Sequence, residues 1–180
     1  PGTKGWWRAD WLYDRMASSD PDDEDEQFDD DALVQPNHNR YWFRSKFDGT
    51  FPAWQWTTKL DLDWVSDQNY LREFDNGLSG FDLSRDIFLD EFGRDIQDKD
   101  SLTRTSVWTL ARNWTDIGFQ SRVEYTQNLE FMNGNGDDTD DPTLQRLPEL
   151  NLNFYKTALL ETPLEWEATS ELTHFWRRQG

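Results

Sequence analysis

Hydrophobic residues recur at every second position over much of this chain, and that period constrains the fold more than any other feature. In residues 117–131, IGFQSRVEYTQNLEF, one phase is mostly aliphatic and aromatic, and the other is wholly polar or Gly. A period of two belongs to a β-strand, whose successive side chains point to opposite faces of a sheet. Six further segments repeat it, less regularly in the fourth strand, at residues 7–13, 41–47, 54–64, 103–112, 150–154 and 164–176. The sequence predicts seven strands and no long helix.

The connections between these segments alternate between long and short. Long ones follow the first, third and fifth strands, at about residues 14–39, 66–102 and 133–146. Short ones follow the others, at a tight turn predicted around Asp48-Gly49 and at residues 113–116 and 157–163. Long extracellular loops and short periplasmic turns are typical of outer-membrane barrels. We predict an all-β, antiparallel up-and-down meander of about seven strands from a larger transmembrane β-barrel.

Strand length and aromatic placement favour the membrane interpretation. The third, fifth and seventh segments reach the roughly 9 to 11 residues that a tilted transmembrane strand needs. Aromatic pairs lie near their ends, as in interfacial girdles: Trp54 and Trp64, Phe119 and Phe131, Trp166 and Trp176. Seven strands cannot close a bacterial barrel, and an open sheet in lipid leaves edge amides unsatisfied. We therefore expect residues 1–180 to be an incomplete barrel segment, internal to a longer protein.

Composition indicates thin apolar faces. Only 35% of the residues are hydrophobic, which alone is typical of disorder. The 11 Trp, 12 Phe and 5 Tyr argue against disorder, because disordered acidic chains are poor in aromatic residues. The net charge of −18 disfavours nucleic acid as a partner, since phosphate binding needs a basic patch. A soluble antiparallel sandwich with aromatic residues in its core remains an alternative.

Catalysis and cofactor binding find little support in the sequence. The two histidines, His38 and His174, lie before a strand and on an apolar strand phase, which predicts an interfacial or packing role and not a catalytic one. Without cysteine there is no disulfide or thiolate metal site, and no phosphate loop, zinc-helix motif or nucleophile elbow occurs. Asp61 and Asp63 share the polar phase of the third strand, where we expect a wet lumen to solvate them.

Three loop segments have features of their own. The acidic runs at residues 18–36 and 133–142 carry clustered carboxylates of the kind that bind Ca²⁺, but without EF-hand spacing. We predict solvated loops there and no metal site, with a calcium-dependent surface module as an alternative. Residues 78–96, LSGFDLSRDIFLDEFGRDI, predict a packed element. It is either a short amphipathic helix or an extra strand over the barrel mouth.

One motif is more specific than periodicity. In DLDWVSDQNYLREFDN, residues 61–76, six positions resemble the "VSD..Y...FD" segment of the LPS-assembly protein family, LptD, also called OstA or Imp: Val65, Ser66, Asp67, Tyr70, Phe74 and Asp75. The order of neighbouring segments is also similar, from an acidic loop before NRYWFRSKFDGTF to a polar strand ending in His174-Phe175. The similarity extends from about Trp6 to Arg178.

The resemblance implies a very large outer-membrane barrel of about 26 strands in a Gram-negative bacterium. It implies a periplasmic jelly roll, outside these residues, through which lipopolysaccharide arrives from a periplasmic bridge. It further implies an LptE-type lipoprotein plug, exit of lipopolysaccharide through a lateral gap, and no hydrolysis by this protein. The wall of a porin or receptor barrel is the other membrane interpretation.

On this interpretation the fifth strand has one face toward lipid and one toward the lumen. The lumen-facing candidates are its polar residues, Gln120, Arg122, Glu124, Asn128 and Glu130. The lipid-facing candidates are its apolar residues, Ile117, Phe119, Val123, Tyr125, Leu129 and Phe131.

Overall fold

A computed structural model describes residues 2–15, 38–132, 141–158 and 162–178. The strands are β1 (Lys4–Tyr13), β2 (Asn39–Phe51), β3 (Trp56–Val65), β4 (Thr103–Asn113), β5 (Ile117–Asn128), β6 (Gln145–Ala158) and β7 (Glu165–Trp176). Two helices, α1 (Gln68–Glu73) and α2 (Phe81–Phe92), lie between β3 and β4, and the short α3 (Leu129–Met132) follows β5. No helix in these described ranges is long and apolar enough to span a membrane.

All seven strands belong to one sheet. Each pairs antiparallel with the next, in the order β1-β2-β3-β4-β5-β6-β7. The predicted all-β meander is therefore confirmed. Within the described residues β1 and β7 are the two edges, so this sheet is open, as expected for a segment of a barrel wall. A sandwich would require a second sheet packed on this one.

The register places the two sequence phases on opposite faces, because cross-strand partners share a face. We call one the aromatic face, represented by Trp11, Phe43, Trp64, Trp108, Val123, Leu152 and Leu172. We call the other the polar face, represented by Asp10, Arg44, Asp61, Glu124, Asn151 and Glu171. The alternation seen in the sequence is thus maintained across the sheet.

The hydrophobic core lies on the polar face, at the end of the sheet where the long connections leave. It consists of Trp42, Val65, Tyr70, Leu71, Phe81 and Leu129. These residues come from β2, β3, α1, α2 and the start of α3. The core forms because residues 66–102, which we call the β3–β4 loop, fold back onto the sheet.

The helical alternative for residues 78–96 is confirmed as α2. The helix buries Phe81, Ser84 and Phe88 against the sheet and is capped at its C-terminus by Gly93. Gly93 has φ 63°, in the left-handed region that glycine adopts without steric cost. The polar Ser84 in the buried stripe was not predicted, and its role is described below.

The tight turn predicted at Asp48-Gly49 is wrong. β2 continues to Phe51, and the chain reverses at residues 52–55. Gly49 instead pairs with Thr58 within the ladder, where a Cβ would lie 2.6 Å from the Phe47 ring. The glycine therefore provides room for an aromatic side chain on the sheet surface.

Strand bounds also differ from prediction at β5 and β6. β5 ends at Asn128, since the chain turns into α3 there, although alternation predicted strand to residue 131. β6 spans 14 residues, far longer than the predicted 150–154. Its additional residues, on both sides of that segment, lack a clean apolar alternation.

Candidate functional site: the polar face and the loop that covers it

The first half of the family-like motif joins β3 to α1. The Ser66 N–H donates to the Tyr41 carbonyl at 2.8 Å, and the Tyr41 N–H donates to Ser66 Oγ at 3.0 Å, which extends the β2–β3 ladder. Asp67 then caps α1, because its Oδ1 accepts the Tyr70 N–H at 2.8 Å. The three residues Val65, Ser66 and Asp67 are all buried.

Arg40 is the central cation of the junction between β3 and α1. It forms a bidentate pair with Asp67 at 3.0 and 3.1 Å, and both side chains are 1% exposed. Glu73 and Asp14 accept from the same guanidinium at 2.6 and 3.1 Å. The Tyr70 ring lies 5.8 Å from it, and burial raises the pKa of the Tyr70 hydroxyl. Removing the main partner of a buried cation is costly, because it leaves a buried charge without its closest counter-charge.

The second half of the motif ties α1 to α2 and to the end of the loop. The Phe74 ring packs on Tyr70, 4.8 Å between centroids, and its carbonyl accepts the Phe81 N–H at 3.0 Å. The Asp75 carboxylate accepts from Lys99 Nζ at 3.1 Å, which lowers the pKa of Asp75. The six motif residues thus lie together at the start of the β3–β4 loop, where the chain passes from β3 into α1 and on toward α2.

The next element, α2, lies along β1 and β2, and hydrogen bonds from Arg44 fix it there. This fully buried guanidinium donates to Ser84 Oγ at 2.8 Å, to the Ser79 carbonyl at 2.9 Å and to Asp10 at 2.6 Å. It also lies 3.6 Å from the Trp42 ring centroid. Ser84 therefore occupies the buried stripe of α2 because it accepts from a buried cation.

Asp61 and Asp63 are ion-paired rather than simply solvated, contrary to expectation. Asp61 accepts from Arg94 at 3.0 Å and from Lys46 at 3.1 Å. Asp63 is 5% exposed, pairs with Arg104 and accepts from Trp42 Nε1 at 2.8 Å. The returning part of the loop supplies Arg94, so these acids face protein and not open lumen. The signal for this was present, because the polar phase of β2 is basic and that of β3 is acidic.

Two buried glutamine side chains supply hydrogen bonds to backbone groups of the sheet that have no neighbouring strand. The β3–β4 register ends at Asp61 and Val107. Beyond it, the Gln127 side-chain amide accepts the Val65 N–H at 3.2 Å and donates to the Val65 carbonyl at 2.7 Å. The Gln145 side-chain amide likewise accepts the Thr126 N–H and donates to the Thr126 carbonyl, both at 2.7 Å. Each amide replaces the pair of bonds that a neighbouring strand normally provides, and sequence alternation gave no sign of it.

The covered part of the polar face belongs to β1–β4. On β5–β7 the same face carries rows of polar residues such as Gln120, Asn151 and Glu171, which are cross-strand neighbours. Gln120, Glu171 and the further acids Glu165 and Glu167 of β7 are exposed. Half of the polar face is therefore filled by the chain's own loop, and half presents a polar, acidic surface.

Four of the lumen-facing candidates lie on β5, and one does not. Gln120, Arg122, Glu124 and Asn128 belong to the polar phase, with Arg122 and Glu124 paired at 2.5 Å. Glu130 lies in α3, where strand alternation no longer applies. That these side chains face a lumen remains a prediction.

The lipid-facing candidates Ile117, Phe119, Val123 and Tyr125 lie on the aromatic face. Phe131 lies in α3, beyond the strand, and Leu129 is wrong as a lipid-facing residue. Leu129 is 0% exposed and packs in the core with Trp42 and Val65, because the chain turns toward the loop side after β5.

Aromatic side chains extend across the whole aromatic face and concentrate at its two ends. Trp7, Trp11 and Leu172 are 71%, 66% and 65% exposed. At the loop end Trp64 stacks on Tyr125 with 5.3 Å between centroids. At the turn end Trp56 meets Trp114 and Phe119 edge-on at 6.1 and 5.8 Å. Girdles of this kind flank the apolar band of membrane barrels.

The histidines make local structural contacts. His38 Nδ1 lies 2.8 Å from the Asp14 carbonyl, and His174 Nδ1 lies 2.9 Å from the Leu147 carbonyl. The described ranges contain no group of three or more His, Cys, Asp or Glu side chains that could hold a metal ion. The acidic run at 18–36 and residues 133–140 of the second run lie outside those ranges.

Comparison with known proteins gives one family. The model of the LptD family, described as LPS transport system D, matches residues 38–180. A search of curated proteins returned no match. The matched region contains β2 to β7, the β3–β4 loop and all six motif residues.

Proposed function

This chain belongs to the LptD family, LPS transport system D, and on that premise we propose that its sheet forms part of an outer-membrane barrel wall. The barrel inserts lipopolysaccharide into the outer leaflet of a Gram-negative bacterium. The aromatic face lies in lipid, and the polar face lines the lumen. The chain contributes structure and a polar surface, and catalyses no reaction.

The observation that carries this proposal is the contrast between the two faces. Trp7, Trp11, Trp108 and Leu172, spread from β1 to β7, leave large apolar side chains exposed on one face. Soluble proteins rarely expose contiguous apolar patches larger than a few hundred Å². The opposite face buries a charge network beneath the loop. A hydrocarbon environment on the aromatic side accounts for its exposed apolar side chains.

We propose that the uncovered half of the polar face meets the partners that the family implies. The β3–β4 loop occupies the space over β1–β4, so a large occupant of the lumen contacts β5–β7. The row formed by Gln120, Asn151 and Glu171 has the polar side chains such a contact needs. The occupants proposed are an LptE-type plug lipoprotein and lipopolysaccharide. A jelly roll elsewhere in the parent protein and a periplasmic bridge would deliver the latter.

Site-specific photo-crosslinking in the full-length protein tests the arrangement. A photoreactive residue at Gln120, Asn151 or Glu171 is expected to capture the plug lipoprotein or lipopolysaccharide. The same residue at Val123 or Leu152, on the aromatic face of the same strands, is expected to capture membrane lipid. Depletion of the full-length protein is expected to deplete surface lipopolysaccharide. Identical products from both faces, or unchanged surface lipopolysaccharide, contradict the proposal.

A further inference from the structure

Arg112 is a cation on the aromatic face, at the end where the short turns lie. Its cross-strand partners are Trp56 on β3 and Phe119 on β5, whose rings contact each other 5.8 Å apart. Its guanidinium lies 4.5 Å from the Trp114 ring centroid and 5.7 Å from that of Trp56. Its Nε is buried, and no described residue accepts a hydrogen bond from it.

This arrangement differs from an ordinary interfacial arginine. Arginine near a membrane surface usually extends its charged group into water, with its aliphatic stem on the apolar surface. Here Nε is shielded from water and lacks an acceptor within the described part of the chain, and the Trp114 and Trp56 rings lie beside the guanidinium. A buried donor without an acceptor is unfavourable, so the site favours a ligand that brings an anion.

An apolar groove opens beside this arginine. It has a volume of about 500 Å³ and is lined by Trp114, Thr115, Asp116, Ile117, Phe119 and Leu152. Phe119 and Leu152 are cross-strand neighbours on the aromatic face and provide an apolar floor. Trp114 both lines the groove and lies beside the Arg112 guanidinium, and Asp116 is the acidic residue among the lining residues.

We propose that Arg112 and this groove form a binding site for one phospholipid with a zwitterionic ethanolamine headgroup. Arg112 binds the phosphate, Asp116 binds the ammonium group, and an acyl chain lies on Phe119 and Leu152. Guanidinium matches phosphate in geometry and charge. The carboxylate in the groove favours a headgroup that also carries a cation over a purely anionic one. The inference rests on the proposed function, because it places the aromatic face in lipid.

Lipid titration of the delipidated full-length protein, followed by native mass spectrometry, tests the site. Phosphatidylethanolamine and phosphatidylglycerol are the two probes. The unaltered protein is expected to bind one phosphatidylethanolamine more tightly than the rest. Arg112→Gln, which stays polar but is shorter and removes the charge, is expected to weaken that binding about tenfold. Asp116→Asn is expected to abolish the preference for phosphatidylethanolamine over phosphatidylglycerol.

Arg122→Gln is the matched control, because it removes the same charge from the polar face of the neighbouring strand. It is expected to leave lipid binding unchanged. Heat-modifiable electrophoretic mobility verifies that each variant has folded as a barrel. Equal lipid affinity in Arg112→Gln and the unaltered protein overturns the site, and equal affinity of the unaltered protein for both lipids overturns the role of Asp116. Either result leaves the crosslinking test of the two faces intact, so the failure of one proposal is distinguishable from failure of the other.

Discussion

At the scale of single residues, the motif is explained by one buried ion pair. Arg40 and Asp67 are each 1% exposed and joined by two hydrogen bonds. Asp67 also caps α1, so one carboxylate serves both the sheet and the helix. The sequence identified Asp67 through its motif but gave no sign of Arg40 as its partner. A strand phase tells which face a residue occupies, whereas a pairing across 27 positions depends on how the loop folds.

Asp67→Asn is expected to loosen the junction. Asparagine still caps a helix, so the change isolates the loss of the charge that compensates Arg40. Breaking a buried pair costs about 3 kcal/mol or more, which predicts amide exchange in α1 faster by about a hundredfold. Hydrogen exchange of residues 68–73 in the full-length protein measures it.

Glu73→Gln is the control for this substitution. It removes a carboxylate that is 39% exposed and leaves Asp67 and Asp14 on the same guanidinium. Its effect is expected to stay below about 1 kcal/mol. Equal acceleration in both variants would show that the buried pair has no special role.

Acid is expected to weaken the attachment of the loop through Asp75. The hydrogen bond from Lys99 holds the pKa of Asp75 below its ordinary value of 3.8. A carboxyl group whose pKa is lower in the folded state stabilises that state above its ordinary pKa and loses this effect as pH falls through the lowered value. Amide exchange at residues 97–100, corrected for intrinsic rates, is therefore expected to rise below about pH 4. If Asp75→Asn shows the same acid dependence, another group is responsible.

At the scale of elements, periodicity predicted what depends on local alternation. All seven strands and the order of long and short connections follow from the period of two. Alternation fails to predict the structure where a side-chain amide takes the place of a strand's backbone hydrogen bonds, or where the chain leaves the sheet. Residues 145–149 and the short helix α3 are such places. Gly49 is a different failure, since a residue type common in turns lies within the β2–β3 ladder. The loop's position over the polar face depends on cation–carboxylate pairs between distant elements, which a periodicity does not contain.

Gln127→Ala tests whether the Gln127 side chain stabilises the sheet through its hydrogen bonds to the Val65 backbone. It leaves both the N–H and the carbonyl of Val65 without their partner in a buried environment. Each unsatisfied group costs about 1–3 kcal/mol, so a total loss of about 2–6 kcal/mol is expected. Denaturant titration of the refolded full-length barrel provides the free energy of unfolding. Gln120→Ala removes the same side chain from an exposed position of β5, and a loss above about 0.5 kcal/mol there would undermine the interpretation.

At the scale of the whole molecule, the sheet separates two environments by its faces. The aromatic face presents apolar and aromatic side chains from β1 to β7. The polar face buries ion pairs under the β3–β4 loop and leaves β5–β7 open. Such a sheet suits the arrangement proposed above, with lipid on the aromatic side and polar occupants on the other.

Val123→Arg tests that division directly. Val123 lies in the middle of β5 on the aromatic face, between Trp108 on β4 and the bulge in β6. A charge on the lipid side near the bilayer midplane costs about 2–4 kcal/mol. We expect a corresponding loss of unfolding free energy in bilayers and less assembled barrel in the outer membrane.

Two substitutions on the polar face serve as controls for Val123→Arg. Asn151→Arg introduces the same charge beside Glu171, and Arg122→Gln removes a charge from the adjacent position of β5. Because a hydrated lumen with acidic neighbours accepts a new arginine, both controls are expected to change stability by less than about 1 kcal/mol. If Asn151→Arg impaired folding into bilayers as much as Val123→Arg, the faces would be assigned the wrong way or both would be wet. Normal folding of all three would show that the aromatic face does not contact hydrocarbon.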